Sequence, residues 1–505
     1  MPDYCVSGVR HIGGKNLIRA FGGSVGSCRF DVKGEIQAEY LQESEYRCEE
    51  QWRGIFVVVK IPLITKSSNE GKCVIQLNLN NNQQWEGYME TTKSFDISKQ
   101  SVLNAFIKVK QNKGGAGVDG QSIEDFERNL DDNLYKIWNR LASGSYFPPP
   151  VKAVSIPKKS GGVRILAVPT VADRVAQMVI KMELEPKLEP NFHCDSYGYR
   201  PNKSAHQAIE VTRKRCWEFD WVLEFDIKGL FDNISHELLM KALKKHTDNK
   251  WILLYVKRWL TAPLQKEDGT CVARNMGTPQ GGVVSPLLSN LFLHYAFDKW
   301  MERNFPEVKW CRYADDALVH CKTYEQAEQL KTKLDERIKE CGLELHPLKT
   351  KIIYCKDSNR KSKHKESSFD FLGFTFKPRC AKNKYTGKWF TSFVPAISQN
   401  AINKIKEEIW KWKLWKKTSM NIESLADMYN SVIRGWNEYY GKFYPSALHE
   451  FHMYLNASLR RWVNRKFQNK RGKKTQCCKW LEKVSKQRPK LFAHWNSLNG
   501  CISVG

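Results

Sequence analysis

Trp310-Cys311-Arg312-Tyr313-Ala314-Asp315-Asp316-Ala317-Leu318-Val319 is the stretch on which the reading of this chain turns. Two apolar, strand-like segments flank two adjacent aspartates. A tight hairpin sets both carboxylates at its tip, on rigid backbone. Neighbouring carboxylates repel, so a fold that keeps them together needs a counterion. A divalent metal suits the place, because Mg²⁺ takes oxygen ligands and keeps positions open for water and phosphate. The competing reading is an ordinary Asp-rich surface turn, and the four letters Tyr-Ala-Asp-Asp do not decide between the two.

A second stretch decides. Trp221-Val222-Leu223-Glu224-Phe225-Asp226-Ile227-Lys228-Gly229-Leu230-Phe231-Asp232 is an apolar strand that ends in an aspartate. An Asp at the end of a central strand can face a hairpin tip on its neighbour. Three carboxylates meeting there can hold two Mg²⁺ about 3.5–4 Å apart, as in polymerases. One ion lowers the pKa of an attacking 3′-hydroxyl, and the other holds the triphosphate and its leaving pyrophosphate.

Outward from these two stretches, residues 95–376 mix both periodicities. Helix-like patterns occupy 121–142, 171–189, 203–218, 235–260, 286–303 and 324–341. Strand-like patterns occupy 152–156, 163–168, 221–227, 310–313, 317–321, 351–355 and 371–376. This predicts an α+β body with one sheet, and 398–495 reads as mostly helical. Residues 1–88 suggest no chemistry: they hold glycine-rich stretches, one strand-like segment (Ile55–Val59) and an Asn/Gln run. They are expected to be an upstream in-frame extension or a small accessory domain.

At 505 residues the chain is long enough for three or four domains. Its 81 Lys and Arg against 54 Asp and Glu call for a polyanionic partner. The excess is one-sided: 377–495 holds 26 basic and 7 acidic residues, whereas 1–88 holds 10 of each. Aromatics interleave with these cations from Trp410 to Lys417 and from Arg434 to Tyr444, and Arg460 to Lys474 is strongly basic. Cations neutralise phosphates and flat rings stack on unpaired bases. For any single Trp in this block, a place in the buried stripe of an amphipathic helix is the favoured reading. No apolar run is long enough to span a membrane, and no secretory signal is visible at the start. The 15 cysteines include no C-x-x-C pair and read as reduced thiols of a cytosolic protein.

With eight motifs in order, the chain resembles the reverse transcriptase/maturase proteins encoded by bacterial group II introns. They are Gly114–Gly120 (GGAGVDG), Ile156–Arg164 (IPKKSGGVR), Ser196–Pro201 (SYGYRP), Phe225–Asp232, Gly277–Pro286 (GTPQGGVVSP), the Tyr-Ala-Asp-Asp hairpin, His346–Lys351 (HPLKTK) and Phe369–Phe376 (FDFLGFTF). The resemblance implies a right-hand polymerase, with fingers and palm (an antiparallel sheet with helices) over 89–376. A mostly helical thumb/maturase region follows over 377–505. It further implies that Asp226, Asp315 and Asp316 are the catalytic metal ligands, joined by the backbone carbonyl of Ile227. Lys158, Arg164, Phe231, Gln280 and Lys349 match nucleotide-binding positions, with Phe231 excluding a 2′-hydroxyl and Lys351 a rival for Lys349. Phe371, Leu372 and Gly373 match the primer-gripping turn.

For the basic block, Arg460, Arg461, Arg465, Lys466, Lys470, Arg471, Lys473 and Lys474 are the expected RNA contacts. The implied cofactor is two Mg²⁺, with Mn²⁺ as a substitute. The implied partners are group II intron RNA, a DNA target and primer, and dNTPs, with no membrane, in a bacterial, nucleoid-associated protein that could pair as a homodimer. Many relatives carry a C-terminal endonuclease with paired Cys and His; those pairs are missing here, which implies a primer from elsewhere. The alternatives are a reverse transcriptase of another system (retron, diversity-generating, defence or CRISPR-linked) and an RNA-binding splicing factor with an idle polymerase site.

Overall fold

The computed structural model describes residues 95–157, 162–383 and 385–495 in full, and within 1–94 the backbone of seven strands. Lys158 therefore lies outside the described residues. The chain divides into two compact units, Met1–Lys93 and Ser94–Gly505. In the first, strands Lys15–Ala20, Cys5–Ile12, Tyr46–Trp52 and Ile55–Ile61 form one sheet in that order. Cys28–Phe30, Ile36–Ala38 and Cys73–Ile75 form another. The strand expected at Ile55–Val59 falls within Ile55–Ile61, and the other six carry no clear sequence signal.

The second unit is built on a four-stranded antiparallel sheet, in the order Lys309–Tyr313, Asp316–Cys321, Trp221–Phe225, Lys351–Tyr354. Strand residues alternate between faces, and both faces here are apolar. Leu223, Phe225, Trp310 and Val319 enter one large core with helices Val171–Leu188, Ser285–Leu293 and Tyr324–Glu340. Val222, Cys311, Leu318 and Ile353 enter another with helix Ala205–Glu218 and the sheet Phe369–Phe371, Phe374–Lys382, Trp389–Ile397. Cover on both faces explains why these strands read as continuous apolar runs. A third sheet contains the hairpin Val151–Pro157/Val163–Val168. Helices Gln399–Lys411, Ile422–Tyr440, His449–Lys466 and Lys474–Gln487 share a separate core around Leu425, Phe451 and Trp462.

Several expected elements are divided. The helix expected over 235–260 is two, His236–Lys244 and Lys250–Thr261, because the Asn249 side chain caps the second by accepting from Trp251 N at 3.2 Å. The helix expected over 286–303 passes through a π-helical turn at His294–Asp298. Strand Phe374–Lys382 runs across the expected 376/377 boundary and pairs with a strand the sequence reading missed, Trp389–Ile397, and the core of the following helices takes over near Ile397. Trp412 and Leu414 are buried, but at the end of helix Gln399–Lys411 and in the short turn after it, whereas Trp410, on the helix, is half exposed. Among the described residues every cysteine is a free thiol, and no helix is long and apolar enough to cross a membrane.

The π turn has a structural use. It presents Asp298 to Arg312, and both side chains are almost wholly buried. Arg312 donates to the two Asp298 oxygens at 2.8 and 2.6 Å, and through its Nη1 to Asn290 Oδ1 at 3.0 Å and the Ala314 carbonyl at 3.1 Å. Burial pushes the Asp298 carboxyl up, but the Arg312 guanidinium and the His294 ring together outweigh it and hold the group below its usual range. Asp298→Ala leaves a buried, uncompensated cation. We expect it to lower the unfolding free energy by about 3–5 kcal/mol, read from the urea midpoint. Replacing both partners with apolar residues should cost less.

Candidate active site

Register decides how the carboxylates meet. Phe225 pairs with Ala317, and Tyr313 pairs with Asp316 across the hairpin. One step past Phe225, Asp226 comes level with Asp316. The turn between the hairpin strands has Ala314 at φ 59°, a left-handed conformation that a Cβ disfavours. Arg312 stabilises it by donating to its carbonyl. Gly198 packs directly on the turn: a Cβ there would sit 2.4 Å from Ala314 N. Asn290 Nδ2 anchors Gly198 in turn by donating to its carbonyl at 2.7 Å.

The three aspartates are crowded. Burial pushes the Asp315 carboxyl up and the Asp226 charge adds to it, with Arg164 and Lys349 opposing. Asp316 keeps one face in the open cleft, yet loss of water and the charges of Asp315 and Asp226 push it to about 7. The Lys349 ammonium lies 2.8 Å from Asp226 Oδ2. Lys351, its rival, stands opposite Glu224 instead. Glu224, which the sequence reading passed over, is pushed to about 7, chiefly by burial. Asp226, Asp316, Glu224, Lys349, Phe369 and Phe371 are among the residues lining a cleft of about 390 Å³.

A second cluster adjoins the hairpin. Arg164 Nε donates to Gln280 Oε1 at 2.6 Å, and Gln280 Nε2 donates to the Asp232 oxygens at 3.0 and 3.1 Å. The structure thus links Arg164 and Gln280 through their side chains, and adds Asp232, to which the sequence reading gave no metal role. Phe231 is buried, and its carbonyl accepts from Thr278 N at 2.6 Å. Ala167 N donates to the Gln280 carbonyl at 2.8 Å, and a Cβ on Gly281 would come 2.9 Å from the Ala167 oxygen. Only glycine permits so close an approach.

Two further residues were missed. Gln177 Oε1 accepts from Val283 N at 2.7 Å, and its Nε2 donates to buried Asp173 at 2.9 Å. Asp173 also accepts from Tyr146 and Trp259, and burial pushes it to about 6. Two polar residues four apart on an otherwise buried helix face were the available signal. Tyr199, at φ 58°, feels the charges of Asp315, Asp316 and Arg164.

The turn of the hairpin Phe369–Phe371/Phe374–Lys382 holds Leu372 and Gly373, both at positive φ, with Phe371 buried beneath. Tyr439 donates to the Leu372 carbonyl at 3.0 Å, and Tyr440 packs against Gly373. In the basic block, Arg461, Arg465, Arg471, Lys473 and Lys474 face solvent. Arg460, Lys466 and Lys470 are half-buried. Lys466 donates to the carbonyls of Thr418 and Met420 at 2.8 Å each, a bond set that ties helix His449–Lys466 to the preceding loop.

Residues 156–376 match the reverse transcriptase (RNA-dependent DNA polymerase) family, and residues 402–480 match the group II intron, maturase-specific domain. Protein YkfC of Escherichia coli K12 is 34% identical over 283 residues, covering 48% of this chain and 73% of YkfC. The chain belongs to the group II intron reverse transcriptase/maturase family. It carries an RNA-directed DNA polymerase domain followed by a maturase domain. The group II intron-encoded protein LtrA of Lactococcus lactis is 33% identical over 193 residues, 38% of this chain and 32% of LtrA. The putative COX1/OXI3 intron 1 protein of Saccharomyces cerevisiae is 32% identical over 225 residues, 45% of this chain and 26% of that protein. The matched stretch thus spans about a third or less of these two relatives. A telomerase structure from Candida albicans covers 74% of this chain and 68% of its own at a TM-score of 0.39 and 12% identity, too distant to bear on the assignment.

The contact of Gly198 with Ala314 is testable. Gly198→Ala must displace the turn that carries Asp315. Misplacement of about 1 Å can cost on the order of 100-fold in rate, so primer extension should fall by that order while circular dichroism stays native.

Proposed function

We propose that this protein copies intron RNA into cDNA at the cleft between Asp226, Asp315 and Asp316, and that its C-terminal helices bind the intron RNA to promote splicing and mobility. The observation that carries the reading is the register that brings Asp226 level with Asp316 on the aspartate hairpin, beside the linked pair Arg164–Gln280. The four-stranded sheet then acts as the palm, the hairpin Val151–Val168 as part of the fingers, and the helices beyond Ile397 as thumb and maturase.

The carboxylates suit a divalent cation. Asp315 and Asp316 are pushed up because like charges meet with little water, and a cation relieves that repulsion. Asp226, Asp315 and Asp316 would hold Mg²⁺, or Mn²⁺ in its place. Ile227 supports the set: its bridge to Leu345 uses the Asp226 carbonyl and the Lys228 amide. In that antiparallel pattern the Ile227 carbonyl points away from Leu345, toward the aspartate hairpin. Bound there, two ions would supply charge neutralisation and an acidified 3′-hydroxyl.

The chain's own residues do the rest. Arg164, with Lys158, grips the triphosphate of the incoming dNTP, and Gln280 orients the nucleotide once Arg164 turns to the phosphates. Phe231 sits against the sugar and favours deoxynucleotides. Lys349 gives a proton to the leaving pyrophosphate. Phe371, Leu372 and Gly373 seat the primer end, backed by Tyr439 and Tyr440. A DNA target and primer, dNTPs and intron RNA are the partners, a bacterial nucleoid-associated setting fits them, and pairing of two copies is the proposed assembly.

Asp315→Asn should abolish extension on poly(rA)/oligo(dT) and leave intron RNA affinity within about twofold of wild type. Extension at the wild-type rate by that variant would overturn the reading. Because Asp315 and Asp316 hold protons more tightly than free aspartate, Mg²⁺ binding should release protons, and its affinity should rise as pH climbs through about 7. Calorimetry in two buffers of different ionisation enthalpy measures that release. For the RNA surface, changing Arg461, Arg465, Arg471, Lys473 and Lys474 together to Ala should flatten the slope of log K against log salt by about 3–4.

A further inference from the structure

We infer that the two-stranded arm Phe374–Lys382/Trp389–Ile397 is a binding site for single-stranded nucleic acid, separate from the carboxylate cleft and the basic block. Most of it lies in the stretch 377–401 between the two matched domains, 156–376 and 402–480. The inference rests on the proposed polymerase reading only in supposing that unpaired nucleic acid is near.

The arm begins in the core and ends in water. The strands pair in register from Phe374 with Ile397 to Lys382 with Trp389. At the base Phe374, Phe376 and Phe393 are fully buried. Toward the tip the rings become progressively more exposed: Phe390 is 42% exposed, Trp389 68% and Tyr385 99%. Clustered apolar rings left in solvent mark a contact surface. The tip is a built turn. Asn383 Oδ1 accepts from Tyr385 N at 2.8 Å and Thr386 N at 3.0 Å, Asn383 N donates to the Lys388 carbonyl at 2.9 Å, and Gly387 takes φ 69°. These bonds hold Tyr385 outward.

Charge identifies the occupant. Residues 374–397 include Lys377, Arg379, Lys382, Lys384 and Lys388 and no acidic residue. Lys382 Nζ stands 5.8 Å from the Trp389 ring centre. Ser358 N donates to the Thr391 carbonyl at 3.0 Å and Thr391 N donates to Ser358 Oγ at 2.8 Å, which ties the arm to the loop that leads into the exposed Lys361, Lys363 and Lys365. The centre of a protein–protein interface is depleted of charge, whereas here cations alternate with rings. That mixture suits phosphates and unpaired bases, since stacking needs a free base face. Strand geometry gives the arm a reach of roughly 30 Å from the Leu372–Gly373 turn, enough to follow a strand leaving the cleft.

The test uses the full-length protein and labelled oligo(rU), oligo(dT) and blunt duplex, each about 20 nucleotides long. The double variant Tyr385→Ala/Trp389→Ala should lose roughly tenfold or more in affinity for the single strands and little for duplex. Lys382→Ala/Lys388→Ala should lower the salt slope on single strands by about 1–1.5. A larger loss on oligo(rU) assigns the arm to template, and a larger loss on oligo(dT) assigns it to product. Bromouridine crosslinks should map to the peptide around Trp389, and unchanged urea midpoints should show that the variants fold. Unchanged single-strand affinity in the ring variant, equal loss on duplex, or crosslinks only elsewhere would overturn the inference and leave the rings to a protein partner. The two readings separate by assay: the extension assay of Asp315→Asn bears on the polymerase proposal alone, and the single-strand affinity of the ring variant bears on the arm alone.

Discussion

Like charges placed on one edge of a sheet push apart, and much of the second unit can be understood as resisting that push. Asp226 ends a central strand, and Asp315 and Asp316 sit on the neighbouring hairpin. Exposed, mobile carboxylates would relax by separating. Here the backbone beneath them cannot move freely: Arg312 is buried against Asp298 and donates to the Ala314 carbonyl, and Gly198 leaves no gap behind the turn. The ion pair contributes little as a net attraction once desolvation is counted. Its value lies in geometry, because a planar guanidinium with two carboxylate bonds and two further acceptors can occupy one orientation only.

The turn at 277–284 follows the same logic with neutral groups. Gln280 faces the cleft side, bonded to Arg164 and Asp232, while Gln177 takes the Val283 amide from behind and rests on Asp173. A buried network of this kind is stable only while every member is paired, which makes it a sensitive support for a residue proposed to touch the nucleotide. The Leu372–Gly373 turn is backed differently, by Tyr439 and Tyr440 from helix Ile422–Tyr440. The helical region therefore reaches back to the cleft wall through two rings.

Much of this was legible from residue type and spacing. The hairpin around Asp315, the strand before Asp226 and the Pro-Gln-Gly-Gly turn were all read close to their observed bounds, since apolar runs broken by Asp or Gly are strong local signals. The helix break at Asn249 was not, because apolar periodicity continues on both sides and the cap is one side-chain bond. Strand Trp389–Ile397 was not, because its apolar alternation is carried only by its inner half and its partner lies across a six-residue connection. Lys466 could not be told from its basic neighbours: type says cation, and only packing says that it bonds two carbonyls of its own chain.

What the sequence determined by itself is the chemistry available and its order along the chain: which positions are acidic, where strands must stop, and where a lone glycine or a cationic block falls. These follow from local sterics and hydrophobic periodicity, which act over a few residues. Tertiary structure alone decided which of those groups meet. That Lys349 and not Lys351 reaches Asp226, that Asp232 joins Gln280, and that Asp173 supports a turn more than a hundred positions away depend on strand register and helix packing. Register shifts by one residue reverse every side chain, so contacts of this kind are fixed by the whole core and by no segment of it.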